Sequence, residues 1–171
     1  VGLTSQPIGA LYRYALDDQG NIIPDHKEVF KGQVGILSLG HNTMEMLAIK
    51  EQRPLERFTR GNTVGVRRLL ELCDPGELYS EAERNQVFLD GDFKDELKTA
   101  FPIWKDNVIQ EIDRRWDKYY NRFCKIIVVG GGAILMKDTF MEKFGTRVWI
   151  PEDPINTVSE GLYRMLLMDQ S

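Results

Sequence analysis

Two short stretches hold residues whose types and spacing could do chemistry. In Ile126-Ile127-Val128-Val129-Gly130-Gly131-Gly132-Ala133 an apolar, β-branched run ends in three glycines and leads directly into a segment with helical pattern. Glycine reaches positive φ and lets a ligand approach the backbone closely. A helix start offers unpaired N–H groups to an anion. The spacing is not the dinucleotide-binding fingerprint, because the third glycine of G-x-G-x-x-G would fall on Leu135. In the second stretch, Leu37-Ser38-Leu39-Gly40-His41-Asn42-Thr43, a turn between two apolar runs gathers hydroxyls, an amide and backbone N–H groups that could converge on an anion. Taken alone, each stretch also reads as a tight turn with no ligand.

The surrounding pattern predicts the elements that must position these turns. A helix starts at or after Pro7 and runs through Leu16, followed by an Asp17–Asn21 turn and a polar loop over residues 22–32. The apolar runs 34–39, 44–50 and 55–60 predict three antiparallel strands joined by tight turns. Thr63 is the expected N-cap of a helix that ends near Cys73 and is closed by Asp74-Pro75-Gly76. Residues 74–92 are polar and weakly patterned, and read as a small helical insertion into a core of residues 1–73 and 93–171. Phe93, Leu97, Phe101, Trp104, Val108, Ile112, Trp116, Tyr119 and Phe123 recur every three or four residues. That predicts one long amphipathic helix whose aromatic stripe is core packing, kinked or begun afresh at Pro102. Lys125–Val129 and Val148–Ile150 are strands that alternate with helices over 133–144 and 155–168, the last presenting Ile155, Val158, Leu162, Met165 and Leu166 on one face. Strands that alternate with helices pair in parallel through right-handed crossovers. The expected fold is therefore α/β, a mixed five-stranded sheet with helices on both faces.

Composition narrows the function classes. The 171 residues are 42% hydrophobic and 28% charged, ordinary for a globular domain, and no apolar run approaches a membrane span. A net charge of −4 gives no electrostatic footprint for direct contact with nucleic acid. Cys73 and Cys124 lack metal-ligand spacing, and with only His26 and His41 to help them no metal site is expected. Two isolated cysteines fit a reducing cytosol, so a cytoplasmic protein is expected. The chain opens at Val1 and enters structure quickly, which reads as a piece of a longer protein.

In this order, the strand-turn-strand element, the long helix and the strand-glycine-helix element resemble the second domain of the actin, sugar-kinase and heat-shock-chaperone ATPase superfamily. The resemblance is to the ParM/StbA plasmid-segregation actins in particular. It covers nearly the whole chain: Gln6, the turn at residues 40–43, Arg60-Gly61-Asn62-Thr63-Val64-Gly65, Val128-Val129-Gly130-Gly131-Gly132-Ala133, and Thr157-Val158-Ser159-Glu160-Gly161-Leu162-Tyr163. It implies a ribonuclease-H-like fold and a nucleotide, ATP with GTP as the alternative, held between two domains together with Mg2+. Carried over by position, Gly130, Gly131, Gly132 and Ala133 would contact adenosine and the α-phosphate. Ser38, Gly40, His41, Asn42 and Thr43 would form the β- and γ-phosphate turn. Gln6 would orient the attacking water, and part of residues 77–92 would meet the purine and ribose. The implied partners are further copies in a filament and an adaptor protein bound to DNA.

Three departures bear on the chemistry. Ser38 stands where the family holds an aspartate and brings no charge to a hard cation. His41 replaces the second glycine of the turn and could itself donate to phosphate. Glu45 replaces the aspartate that follows the threonine. The alternatives are a hydrolysis-deficient actin-like module that binds partners, and a sugar or acyl kinase, for which no substrate-binding segment is found.

Overall fold

The near-continuous apolar runs become the central strands of one sheet, covered on both sides. The structure, a computed structural model, describes residues 7–73 and 94–169. Helix α1 (Ile8–Ala15) precedes strands β1 (Gln33–Leu39) and β2 (Met44–Lys50). Short strands β3 (Arg53–Pro54) and β4 (Arg60–Asn62) lead to α2 (Val66–Leu72), and the long α3 (Lys94–Trp116) leads to β5 (Lys125–Val129). The chain continues through α4 (Gly132–Leu135), α5 (Lys137–Phe144), β6 (Val148–Trp149) and α6 (Thr157–Met168).

The sheet order is β3-β2-β1-β5-β6, with β4 also pairing β2. β1 runs antiparallel to β2, from Gln33↔Lys50 to Leu39↔Met44, and parallel to β5, from Val34↔Lys125 to Ser38↔Val129. β5 and β6 are parallel, with Ile127 opposite Trp149. The edge position expected for one strand over 55–60 is split. β3 pairs Ile49 and Lys50, a 3-10 turn over Glu56–Phe58 interrupts the ladder, and β4 resumes opposite Met44–Met46. The interruption lets Leu55 and Phe58 pack against the core, with Phe58 stacked on Tyr119 at 3.8 Å.

Side-chain alternation then separates two cores. Leu37, Leu39, Met44, Met46, Ile126 and Val128 face α2, α3 and α5, where Leu69, Trp104, Ile112, Trp116 and Phe140 are buried. Val34, Ile36, Leu47, Ile49, Ile127 and Val129 face α1, where Leu11, Tyr14 and Ala15 are buried. The aromatic stripe of α3 is core, as its period predicts, and each buried indole finds a partner. Trp104 Nε1 donates to the Val64 and Gly65 carbonyls at 3.0 Å, and Trp116 Nε1 to that of Phe58 at 3.0 Å. The helix passes through Pro102 without a break and ends at Trp116, after which residues 117–122 tighten into a 3-10 turn. The stripe residue Phe93 and the insertion over 74–92 lie outside the described residues.

Several local readings are corrected. Residues 24–30 form a 3-10 helix rather than a polar loop, anchored by buried Val29. The cap of α2 is Gly65, two residues later than the expected Thr63; Asn62 Oδ1 takes the Val64 N–H, and Gly65 packs against the His41 carbonyl. The helix over 133–144 breaks at Met136 into α4 and α5. Of the apolar face expected for α6, Val158, Leu162 and Met165 are half-buried, Val158 packing against the α1-side core, whereas Leu166 and Ile155, which precedes the helix, are exposed; the buried residues there are Thr157, Gly161 and Arg164.

That last contact has a backbone cause. A Cβ on Gly161 would lie 1.7 Å from the Gly9 carbonyl oxygen, and one on Gly9 would lie 2.2 Å from that of Val158. The two helices touch main chain to main chain. Arg164 reaches over the end of α1, donating to the carbonyls of Arg13 and Leu16 and pairing with Asp18, where the negative pole of a helix favours a cation. Helix propensity alone would make Gly161→Ala stabilising by about 1 kcal/mol. The contact predicts the opposite sign, a loss of about 2–3 kcal/mol from overpacking, measurable by denaturant unfolding.

Candidate functional site

Parallel pairing of β1 and β5 brings the two chemically suggestive turns to one edge of the sheet. Ser38 is opposite Val129, so Gly40 and Gly130 both leave the carboxyl ends of neighbouring strands. The contact is direct. Gly130 takes φ +90, and a Cβ on it would lie 2.4 Å from the Leu39 carbonyl oxygen. A Cβ on Gly132 would lie 2.4 Å from Leu39 Cγ. These two glycines are therefore required by the fold, since they let the β5 turn lie on the end of β1. Gly131 is different: its backbone is right-handed helical (φ −58, ψ −32), and nothing lies within 4 Å of where its Cβ would be.

Each turn is braced from behind. Gly40 N–H donates to the Thr43 carbonyl at 2.9 Å. The first N–H groups of α2 engage the turn's carbonyls, Val66 to Gly40 at 3.0 Å and Arg67 to His41 at 2.7 Å. Gly65 packs so closely that a Cβ there would lie 2.4 Å from the His41 oxygen. With its carbonyls directed at α2, the turn presents the N–H groups of His41, Asn42 and Thr43, which have no backbone acceptor among the described residues. The side chains of all three are exposed.

On the neighbouring turn, Gly130 N–H donates to the Pro154 carbonyl at 2.7 Å, Ala133 N–H to Gly130 at 2.9 Å and Ile134 N–H to Gly131 at 3.2 Å. The N–H groups of Gly131 and Gly132 have no acceptor among the described residues. Ala133 is buried in the α3-side core, so of its own atoms only the backbone is placed for a ligand. The Pro154 brace is itself held by Asp153. Its carboxylate accepts from the N–H groups of Ile155 (3.1 Å) and Asn156 (3.2 Å) and from the Asn156 side chain (2.7 Å).

Ser38 is half-buried near the end of β1. Its ladder partner is Glu45 on β2, also half-buried, and alternation puts both on the α1 side of the sheet. Directly opposed residues have Cβ atoms about 4.5–5.5 Å apart, so a carboxylate stands beside Ser38. Gln6 and the expected purine-side residues 77–92 lie outside the described residues. The braces at Gly65 and Pro154 were not legible as site residues. Gly65 gives only a glycine before an amphipathic run, and Pro154 contributes a carbonyl that any residue possesses.

Two sets of N–H donors without an acceptor among the described residues lie at the carboxyl ends of adjacent parallel strands, the usual ligand position in open α/β sheets. With helices on both faces of the mixed sheet, this defines the second-domain half of an actin-like fold. A model of the family described as archaeal actin homologue MreB-like, C-terminal, matches residues 36–142, and the chain belongs to that family. No curated protein sequence matches the chain. Among solved structures it is similar to an apo pSK41 ParM protein (19% identity, TM-score 0.71, 97% of this chain and 50% of that one). It is also similar to a 15-stranded ParM filament from Clostridium botulinum (16%, TM-score 0.68, 99% and 53%). A third similarity is to Ta0583, an archaeal actin homologue, in complex with ADP (20%, TM-score 0.62, 82% and 51%). The chain spans about half the length of these structures. Among the described residues no helix is long and apolar enough to cross a membrane.

The Asp153 brace has a pH signature. Hydrogen bonds from Asn156 and Ile155 hold its carboxyl below the ordinary aspartate value of 3.8. A value lowered on folding contributes stability that is present above the ordinary value and lost as pH falls through the lowered one. NMR titration should give Asp153 a midpoint below 3.8, and a midpoint at or above it would show that the brace is not formed.

Proposed function

We propose that this chain is the nucleotide-facing half of an actin-like, filament-forming ATPase that works in the cytoplasm. In this reading the polymer positions plasmid or phage DNA through an adaptor protein rather than by touching DNA itself. The observation that carries the reading is the shared edge of the 40–43 and 130–132 turns, fixed by the β1–β5 register and the seating of Gly130 on Leu39. Gly131 and Gly132 donate to the adenosine side and α-phosphate of ATP. His41, Asn42 and Thr43 donate to the β- and γ-phosphates. The open space at Gly131 fits a ligand that must approach the backbone.

The second half of the relatives' length would supply the opposing wall and most of the magnesium site. From this chain, the Glu45 carboxylate beside the Ser38 hydroxyl is the donor pair suited to a magnesium ion that keeps its waters. Bound metal would neutralise charge on the transferring phosphoryl group. Gln6, a neutral hydrogen-bonding residue just before α1, would orient water for attack. Nucleotide would set closure of the two halves, and closure would set the affinity of subunit for subunit. Ser38 supports a second reading, in which nucleotide is bound and hydrolysis is slow, so that the domain acts as a nucleotide-loaded binding module.

Gly131 separates a ligand site from a structural turn. In the full-length protein, Gly131→Val should leave the thermal midpoint unchanged, because its Cβ meets nothing, and should weaken ATP binding at least tenfold by calorimetry. Unchanged ATP affinity would overturn the site. In the same assays Ser38→Asp should raise ATP turnover if slow hydrolysis comes from the missing carboxylate, and unchanged turnover would remove Ser38 as the cause.

A further inference from the structure

Where α3 ends and the chain turns toward β5, at the end of the sheet where β5 begins, lies a groove of about 660 Å³. Clefts of that size take a small ligand or a few residues of peptide. One wall comes from residues 57–58 and the other from residues 114–122. Two hydrogen bonds tie the walls together. Trp116 Nε1, on a fully buried side chain, donates to the Phe58 carbonyl at 3.0 Å, and Arg115 donates to the Arg57 carbonyl at 3.1 Å. Across the groove the Phe58 and Tyr119 rings stack at 3.8 Å. Folding therefore sets the separation of the walls before anything enters.

The lining is strongly cationic. Arg57, Arg114, Arg115, Lys118 and Arg122 stand against one carboxylate, Asp117, a net charge of +4. Two of these cations are engaged locally, Arg114 with Glu111 and Arg115 with the Arg57 carbonyl. Arg57, Lys118 and Arg122 are exposed, and none has a carboxylate partner among the described residues. The Arg57 guanidinium lies over the Phe58 ring at 5.5 Å, and that of Arg122 over the Tyr119 ring at 5.2 Å. A guanidinium held on an aromatic face keeps its N–H edge free and has less freedom to lose when it meets an anion. Two such forks and an ammonium on one groove suit the mode in which arginine clusters recognise acidic peptide motifs.

The charge elsewhere favours a short acidic segment over a long polyanion. The chain carries −4, so with +4 in the groove the rest of it carries −8. A DNA duplex presents one charge about every 1.7 Å, and its phosphates would run out of the groove onto that acidic remainder. A peptide whose carboxylates are confined to a few residues places its charge in the groove alone.

We propose that this groove is a docking site for an acidic peptide segment of a partner protein, whose carboxylates pair with the Arg57 and Arg122 guanidiniums and the Lys118 ammonium. The site is separate from the nucleotide edge and stands whether or not that edge binds ATP.

The test follows a fluorescein-labelled oligoglutamate peptide by anisotropy on the full-length protein, with the thermal midpoint measured alongside. Wild type should bind it and should not bind oligoglutamine of the same length. Lys118→Glu with Arg122→Glu should weaken oligoglutamate binding by roughly tenfold or more, with the thermal midpoint unchanged. Arg57→Lys with Arg122→Lys keeps the charge and removes the forks, and should weaken it by roughly threefold or more. Lys27→Glu with Lys31→Glu changes net charge equally at exposed cations outside the groove, and should leave binding unchanged. Equal losses in the two charge-reversal variants would show a response to net charge only and overturn the site. Failure of wild type to bind oligoglutamate would overturn it too. Tighter binding of double-stranded DNA than of the peptide, lost in the Lys118→Glu, Arg122→Glu variant, would assign the groove to nucleic acid and overturn peptide docking.

Discussion

The site depends on one parallel strand pair. With Ser38 opposite Val129, β1 and β5 finish together, and Gly130 can seat on the Leu39 carbonyl only because it lacks a Cβ and takes φ +90. A one-residue slip of β5 would exchange Val129 for Val128 on the face packed against α1. It would also move the glycine run off the end of β1. Burial on both faces resists that slip: Ile36, Leu37, Ile126, Ile127, Val128 and Val129 are all fully buried. Hydrophobic packing thus fixes the geometry of a polar site whose own groups make few contacts.

The bracing is asymmetric in a way that suits binding. Carbonyl groups of the 40–43 turn are directed at α2, and Gly130 N–H is directed at Pro154. What remains at the shared edge is a surplus of N–H donors. An unpaired buried donor would cost roughly 1–3 kcal/mol; Gly132 is buried, but His41, Asn42 and Thr43 are exposed and Gly131 is half-buried, so water can reach the donors there. Their orientation is therefore set before any ligand arrives, by main-chain bonds that side-chain substitution largely leaves alone.

Much of the fold was legible in the sequence because it rests on period. The β5 run 125–129 and the β2 run 44–50 stand as read, and the α3 stripe from Leu97 to Trp116 is core. What could not be read depends on tertiary contact. The α1–α6 contact closes on Gly9 and Gly161, which carry no hydrophobic signal, so the apolar pattern found Val158 and Leu162 but also included Ile155 and Leu166, which are exposed. Thr63 had the chemistry of an N-cap and lost the position to Gly65, since only a glycine fits against His41. In the site, the glycine run and the 38–43 turn were visible by residue type. Their meeting on Leu39 depends on the β1–β5 pairing, which no residue pattern named, and the carbonyl brace at Pro154 had no sequence signal.

Hydrogen exchange of the full-length protein with and without ATP tests the central claim most directly. If both turns hold one nucleotide, the peptides covering residues 38–44 and 130–136 gain protection together and at the same ATP concentration. Protection of one without the other, or at separate concentrations, would contradict a shared site.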